Sequence, residues 1–488
     1  MEAPVDALLE SLEPKTLWSY FLELSKIPRG SKNEQAAATW VLEQAKALGL
    51  EAMQDPIGNV IIRKPATPGR EKAPITAMQA HVDMVCEKNE ATNHDFTKDP
   101  IQVWRDGDLL RAKGTTLGAD NGIGVASAMA VLASKDIAHG PLEVLITIDE
   151  ETGLTGAGNL QPGLLKGKYL LNLDSEEEGD LTIGCAGGMD TVATRKMKQV
   201  PVAAGARPFR IKVLGLKGGH SGVEIHQGRG NALRILGQLL FRLVPEFDLQ
   251  VGEFHGGNKR NAIPREAWAL VFMNPAQEGA VRVALAREQK IAQDELGAFD
   301  PGLALELAPA PEAPEYAFAP EDTQAVVDYL FGMVHGVVAM SPDITDLVQT
   351  STNLAMIATR GAEVEVCLSH RSSVEASKFV VADRVQALSR LAGFETTRGD
   401  GYPGWKPEPK ASLVKVVNAV HEKTFGKPMA IKAIHAGLEC GLIGEKYPDM
   451  EMVSIGPNMW DVHTPDENVS VPSVANFWIL LKAILEAV

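Results

Sequence analysis

The chain has little of what would tie it to a membrane, a nucleic acid or an oxidising compartment. Across 488 residues no apolar run approaches the roughly 18 residues that a bilayer-spanning helix requires. Positive charge is in the minority, with 47 Lys and Arg against 63 Asp and Glu and a net charge of −16. That balance argues against nucleic acid or an anionic membrane as partner, while leaving room for a local basic pocket. Cysteine is scarce: Cys86, Cys185, Cys367 and Cys440 are scattered, with no Cys-x-x-Cys pair, and read as buried reduced thiols of a cytoplasmic protein. The N-terminal MEAPVDALLESLEP is acidic and amphipathic, which does not fit a signal peptide. What is present is the composition of a soluble globular protein, 45% apolar and 23% charged. The length exceeds what one core usually supports, so two domains are expected.

Residues 1–187 alternate helical and strand-like patterns. Apolar residues recur every three to four positions around Leu17–Leu24 and Glu34–Leu48, and strand-like runs follow at Ile75–Ala80, Leu142–Ile148 and Tyr169–Leu173. Gly122–Ala133, rich in small residues, reads as a helix packed closely on a sheet. This alternation predicts an α/β fold, a mostly parallel or mixed sheet with helices on its faces. Near Gly187 the character changes. Phe209–Leu214 leads through a Gly/His loop into a helix over Asn231–Leu243, and Glu363–Leu368 leads through a loop at Ser369–Ser372 into a helix over Ala382–Leu391. A strand–loop–helix unit used twice is the expectation, with the Pro/Ala-rich Leu307–Pro320 as the loop between halves. After Gly393 the α/β pattern returns, with helices at Leu413–Phe425, Ala436–Lys446 and Ser473–Ala487 and a strand at Met450–Ile455. The economical plan is one α/β domain (1–187 and 397–488) interrupted by an inserted α+β domain (188–396).

Chemistry-bearing side chains gather where the apolar runs of the α/β part end. His81 and Asp83 follow the first run, Asp120 stands at a glycine-rich turn into a helix, Glu150 and Glu151 follow the second run and Asp174 the third. His463 lies in a late polar loop. Each has an ordinary reading: Asp120 as a helix cap, Glu150 and Glu151 as an exposed turn, His463 as a loop histidine. Jointly they do not, because open α/β sheets bind ligands beyond the C-terminal ends of their strands. Two imidazoles and three carboxylates suit a pair of divalent ions, and a further carboxylate is left as a base, which points to hydrolysis. Asp83, two residues from His81 on an extended chain, can accept from its second ring nitrogen.

QAHVDMV (79–85), TLGADNGIG (116–124), TIDEETGLTGA (147–157), NLDSEEEG (172–179) and HTPDE (463–467) resemble the five metal-site blocks of the M20 family of di-zinc peptidases. GLKGGHSGVEIHQGRGNA (215–232) is similar to the aminoacyl-histidine or non-specific dipeptidase branch. The resemblance covers nearly the whole chain, and it implies a dipeptidase holding two zinc ions, with cobalt or manganese as possible substitutes. It implies that Asp120 bridges the ions, that His81 and Asp174 complete one and Glu151 and His463 the other, that Glu150 is the general base, and that Asp83 orients His81. On the inserted lid it places His220 at the scissile carbonyl and Asn261 and Arg371 at the substrate carboxylate, and it makes Gly437, in the returning α/β part, a backbone contact near the same end. Related amide hydrolases, a tripeptidase or an aminoacylase, and a non-catalytic metal-binding scaffold are the alternatives. The chain is expected to be a monomer or homodimer. The insert is about the size of two family lids, which implies that His220 acts within its own chain. A mixture of Glu150→Ala and His220→Ala chains should then stay inactive in a peptidase assay, whereas recovered activity would place the histidine in trans.

Overall fold

The computed structural model describes residues 5–488, so the first four residues of the N-terminal segment lie outside it. In chain order its principal strands are β1 (Glu51–Gln54), β2 (Val60–Lys64), β3 (Thr76–His81), β4 (Leu142–Thr147), β5 (Tyr169–Asn172), β6 (Asp180–Cys185), β7 (Gly187–Lys196), β8 (Arg207–Leu214) and β9 (Gln250–Gly256). They continue as β10 (Ala267–Met273), β11 (Ala304–Pro309), β12 (Gly336–Met340), β13 (Val348–Arg360), β14 (Glu363–Ser372), β15 (Glu395–Arg398), β16 (Ala430–Ile434) and β17 (Glu451–Ser454). The principal helices are α1 (Lys15–Leu24), α2 (Gln35–Ala47), α3 (Ala119–Ala133), α4 (Ala232–Phe247), α5 (Glu278–Leu296), α6 (Pro320–Gly332), α7 (Glu375–Leu391), α8 (Ser412–Phe425), α9 (Glu439–Lys446) and α10 (Val471–Ala487). The described residues fall into two compact units: 5–184, 405–433 and 438–488 form the first, and 185–404 with 434–437 the second.

The first unit is built on a sheet of order β1-β2-β4-β3-β5-β17-β6-β16. Its four central strands, β4, β3, β5 and β17, are parallel, and the strands beside them join antiparallel. Strands covered on both faces read as unbroken apolar runs, and every residue of β3, β4 and β5 is buried. Helix α3 packs against β3 and α1. Its glycines permit that approach: a Cβ on Gly124 would stand 2.8 Å from the Leu173 carbonyl oxygen, where no side chain fits. The mixed α/β fold is the expected one. Among the described residues, no helix is long and apolar enough to cross a membrane.

The second unit carries a sheet of order β11-β8-β10-β9-β13-β14-β7-β15, with β12 pairing onto β13. Two β-α-β-β-α-β halves compose it, each with its strands in the spatial order fourth, first, third, second. One half is β8-α4-β9-β10-α5-β11; the other is β7-α6-β13-β14-α7-β15. They join through the antiparallel β9–β13 pair, His255 opposite Ala358 and Gly256 opposite Ile357. The structure corrects the expected repeat. β8 is the counterpart of β7, and β14 is the counterpart of β10, so the first half is nested between the first strand and first helix of the second. Leu236, Phe254, Val271, Leu330 and Leu354 lie in its core, fully or almost fully buried.

Further expectations shift in detail: Cys185, Cys367 and Cys440 are buried as expected, but Cys86 is exposed. Ser369–Ser372 is not a loop but the end of β14, because its polar side chains find cross-strand partners: His370 lies between Thr191 and Thr352, each at 2.8 Å, and Ser372 meets Thr350 at 2.9 Å. The helix expected from Ala436 begins at Glu439, and the Leu307–Pro320 segment contains the end of β11 and a short strand, Tyr316–Phe318. The second unit runs on to Gly404 because β15 pairs with β7 and Tyr402 exchanges backbone hydrogen bonds with Gly188 (3.1 and 2.9 Å).

Helix α4 is held at its start by Asn231, whose Oδ1 accepts the N–H groups of Leu233 (2.9 Å) and Arg234 (3.2 Å) while Nδ2 donates to Leu354 O (2.8 Å). Loss of such a cap costs about 1–2 kcal/mol. Asn231→Ala should accordingly raise hydrogen exchange across α4 by roughly five- to thirty-fold relative to β3 of the first unit.

Candidate metal centre

Parallel pairing sets the ends of β3, β4 and β5 level, with His81 beside Thr147 and Gln79 beside Asn172. The chain then leaves each strand and presents an ionisable group within a few residues. His81 is the last residue of β3, Glu150 and Glu151 open a short helical turn after β4, and Asp174 follows β5 by two residues. The turn after β4 is shaped by Asp149, in the left-handed region (φ 48°), whose carboxylate accepts the hydroxyls of Thr152 and Thr155. Asp120 arrives from the first turn of α3, and its peptide bond to Asn121 is cis. His463 sits at φ 63° on the loop before α10.

The seven groups expected from the sequence in this unit meet in one place. His81 Nε2 lies 3.1 Å from Asp120 Oδ1 and 3.3 Å from Asp174 Oδ1. His463 Nε2 lies 3.2 Å from the other oxygen of Asp120 and 3.0 Å from Glu151 Oε2. Asp120 thus offers one oxygen to each of two triads, His81–Asp120–Asp174 and Asp120–Glu151–His463, and ligand atoms within each triad lie within 4.8 Å of one another. Glu150 groups with His81 and Glu151 at the same spacing. Asp83 Oδ1 stands 3.4 Å from His81 Nδ1, and the Asp83 carboxylate also accepts the N–H groups of Glu150 (3.0 Å) and Glu151 (3.3 Å) and the hydroxyl of Ser31 (2.8 Å).

Electrostatics show what this donor set wants. Burial opposes a charged imidazole at His81, yet Asp174, Asp120 and Asp83 overcome it and hold its pKa well above the ordinary value. Hydrogen bonds to Asp120 and Glu151 push His463 up to about 11. Burial lifts Asp174 to about 6, with Asp120 and Glu151 adding to the rise. Burial likewise raises Glu150 well above the carboxylate range, with the charges of Asp174, Glu439 and Glu151 reinforcing it. Asp120 goes the other way, held low against its burial by the two imidazoles. Five carboxylates with two imidazoles are short of positive charge, and Glu151 Oε1 is buried without a partner. Nitrogen and oxygen donors in this ratio fit divalent cations.

Two residues that frame the cluster were not identified from the sequence. Glu467 accepts the N–H groups of Leu117 (2.7 Å), Gly118 (3.0 Å) and Ala119 (2.8 Å), fixing the turn that delivers Asp120. Arg29, 2% exposed, donates to Val82 O (2.9 Å), Asp83 O (3.0 Å) and Gly118 O (2.5 Å). Glu467 closes the HTPDE block, which was the available signal; nothing local marks Arg29 as buried.

The remaining expected residues belong to the second unit. His220 Nδ1 accepts the N–H groups of Gly222 (3.2 Å) and Val223 (3.1 Å), so its proton is on Nε2, and burial with the nearby Arg371 lowers its pKa to about 4. Arg371 is 8% exposed; Nη1 donates to the Tyr402 hydroxyl at 3.2 Å, Nε is buried without an acceptor, and among the described residues no carboxylate pairs with it. Gly437 abuts the Tyr402 ring, where a Cβ would stand 2.8–3.2 Å away. Asn261 is exposed and lines, with His220, a cavity of about 680 Å³ that also bears Lys217, Lys259, Arg265 and Trp268. The rival histidines are accounted for: His370 is bonded within the sheet, and His226 lines a different cavity.

A model of the family described as Peptidase family M20/M25/M40 matches residues 77–487. The chain belongs to that family. It is 41% identical over 480 residues, 98% of its length and 99% of the relative's, to the cytosol non-specific dipeptidase of Escherichia coli (strain K12). The crystal structure of aminoacylhistidine dipeptidase from Vibrio alginolyticus is similar at 43% identity and a TM-score of 0.91, covering 98% of each chain. Aminopeptidase PepT of Bacillus cereus, at 17% identity and a TM-score of 0.58 over 98% of this chain and 99% of the other, shares the fold. The clusters described above at His81, Asp120, Glu150–Glu151, Asp174 and His463 all fall within the stretch that the M20 model matches.

Four histidines of the second unit, His220, His335, His370 and His435, are lowered to about 4, 3, 4 and 3, in each case chiefly by burial. Their folded values lie below the unfolded value, so the stability they contribute is present above about pH 6.5 and is lost as pH falls toward the folded values. In NMR titration of ring-labelled histidine these four rings should stay neutral down to about pH 5, where an unperturbed histidine is already charged.

Proposed function

We propose that this M20 peptidase is a cytoplasmic dipeptidase that hydrolyses dipeptides, those with C-terminal histidine included. The observation that carries the hydrolytic reading is the shared carboxylate of Asp120, one oxygen toward each imidazole, with the buried Glu150 beside it. The choice of dipeptides is supported by the two relatives above 40% identity, whose names specify dipeptide and aminoacyl-histidine hydrolysis. Asp120 with His81 and Asp174 would hold one divalent ion, and Asp120 with Glu151 and His463 a second. Zinc, for which cobalt or manganese can substitute, would supply there a Lewis acid for the scissile carbonyl and an acidified water.

The protein's own groups account for the rest. Glu150, whose pKa is raised by burial, takes the proton of the attacking water and returns it to the departing amine. Asp83 holds His81 in the tautomer that leaves Nε2 free, and through the amides of Glu150 and Glu151 it also fixes the base. His220, neutral with its proton on Nε2, is a donor for the oxygen on which negative charge develops. Arg371 is a buried cation without an anion of its own, which suits a substrate carboxylate gripped through the guanidinium fork. Asn261 adds an amide to the same carboxylate, and Gly437 offers its backbone where a side chain would collide with Tyr402.

Glu150→Ala should retain its bound metal, measured by elemental analysis, and lose at least 1000-fold in kcat with KM changed less than about threefold; full activity would remove Glu150 from the mechanism. Arg371→Ala should raise KM for Ala-His by about 10–100-fold, and a C-terminally amidated dipeptide should reproduce that rise with the wild type. A rate comparison of Ala-His, an N-acetyl amino acid and a tripeptide tests the substrate class: preference for either of the last two overturns it.

A further inference from the structure

At the C-terminal ends of the central strands of the first sheet, three strands carry a polar residue just short of the candidate metal cluster. Gln79 precedes His81 by two residues, Asn172 precedes Asp174 by two, and Thr147 precedes Glu150 by three. All three are fully buried, as is Ser454 at the end of β17.

Their hydrogen bonds form a single line with a direction. Asn172 Nδ2 donates to Gln79 Oε1 at 2.5 Å, and Gln79 Nε2 donates to Glu439 Oε2 at 2.6 Å. Upstream, the Ser454 hydroxyl donates to Asn172 Oδ1, so the Ser175 hydroxyl, 2.8 Å from Ser454 Oγ, donates into it. Thr147 Oγ1 gives its proton to the same Glu439 oxygen at 2.6 Å. An amide accepts only on oxygen and donates only from nitrogen, so every proton on the line points toward Glu439. That carboxylate, on the first residue of α9, has no exposure, and its Oε1 is buried without a partner.

We propose that Glu439 is a positioning residue for the metal centre, the buried acceptor on which hydrogen bonds from the three ligand-bearing strands converge. By tying Gln79, Thr147 and, through Gln79, Asn172 to one point, it fixes the depth and rotation of the strand ends that present His81, Glu150, Glu151 and Asp174. A plug that served only to hold the sheet together could sit anywhere along these strands; this one sits at the edge that bears the ligands, with one member on each ligand strand. The inference rests on the reading of those residues as ligands. Outer partners of this kind set metal affinity by orienting the groups that touch the ion.

Burial pushes the Glu439 carboxyl up to about 7, so Glu439→Gln is a close mimic: its oxygen can accept from Gln79 and Thr147. Glu439→Met has a similar volume and no comparable acceptor. Cobalt(II) titrated into the metal-free wild type and both variants, followed by the visible spectrum of the bound ion and by the thermal midpoint of each metal-free protein, separates the cases. Glu439→Gln should bind cobalt within about threefold of wild type, and Glu439→Met about 10–100-fold more weakly with an altered spectrum, although both melt near the wild type. Equal binding by Glu439→Met, or an equal loss in both variants, overturns the proposal. If Glu439→Met does not fold, Gln79→Met cuts the same line while leaving Thr147 on Glu439 and is expected to show the same weakening. Failure of that variant also to fold would make the line a folding element and overturn its role at the metal. Absence of cobalt binding by the wild type would instead sink the ligand reading on which the inference rests.

Discussion

Like charges crowded at a buried sheet edge repel one another, and the architecture around that edge is the means of holding them there. Five carboxylates sit within reach of two imidazoles, and the outer anions do not simply add to the repulsion. Asp83 turns its oxygens to the backbone amides of Glu150 and Glu151, and Glu467 turns its own to those of Leu117, Gly118 and Ala119. In each case a negative side chain grips the peptide that carries the next acid, so charge that would oppose assembly is used to enforce it. Arg29 ties Asp83, one of the gripping residues, to the gripped turn at Gly118 through their backbone carbonyls. Only the inner acids are left short of positive charge, and that remainder is what a pair of cations fits.

Around Arg371, in the second unit, the local charge has the opposite sign. Arg371 is buried without a carboxylate, and its charge, together with burial, keeps His220 and His435 neutral. Neutral imidazoles donate and accept at defined atoms: His435 Nε2 meets Ser351 Oγ at 2.7 Å, and His220 Nδ1 is occupied by two backbone amides. Tyr402 joins these parts, with its hydroxyl on Arg371 and its ring against Gly437. Lys378, 1% exposed, fixes the Tyr402 backbone through its carbonyl at 2.6 Å.

The α/β fold and the meeting of the candidate metal ligands were legible because the central parallel strands are mostly apolar, so their ends stand out where acids and imidazoles gather. What escaped notice was non-local. β8 and β14 each lead through a loop into a helix, and locally they are interchangeable; only pairing across the sheet shows one to be a first strand and the other a third. Ser369–Ser372 is polar enough to read as a loop, since its partners Thr191, Thr350 and Thr352 lie on other strands. Arg29, Glu439 and Glu467 carry side chains that usually face water, and composition gives no sign that three charged residues are buried.

The discontinuity of both sheets sets a schedule for the chain as it leaves the ribosome. β7 emerges early but must wait for β14 and β15, while the half nested between them can complete its own sheet first. The same holds more sharply for the candidate metal cluster: four of its five candidate ligands precede the second unit along the chain, and His463 follows it. Of the two triads that share Asp120, a nascent chain therefore displays only that of His81 until His463 is made. The paired arrangement about Asp120 closes only when the loop of His463 folds back onto the first three strand ends, so the full candidate centre waits on chain made after the second unit.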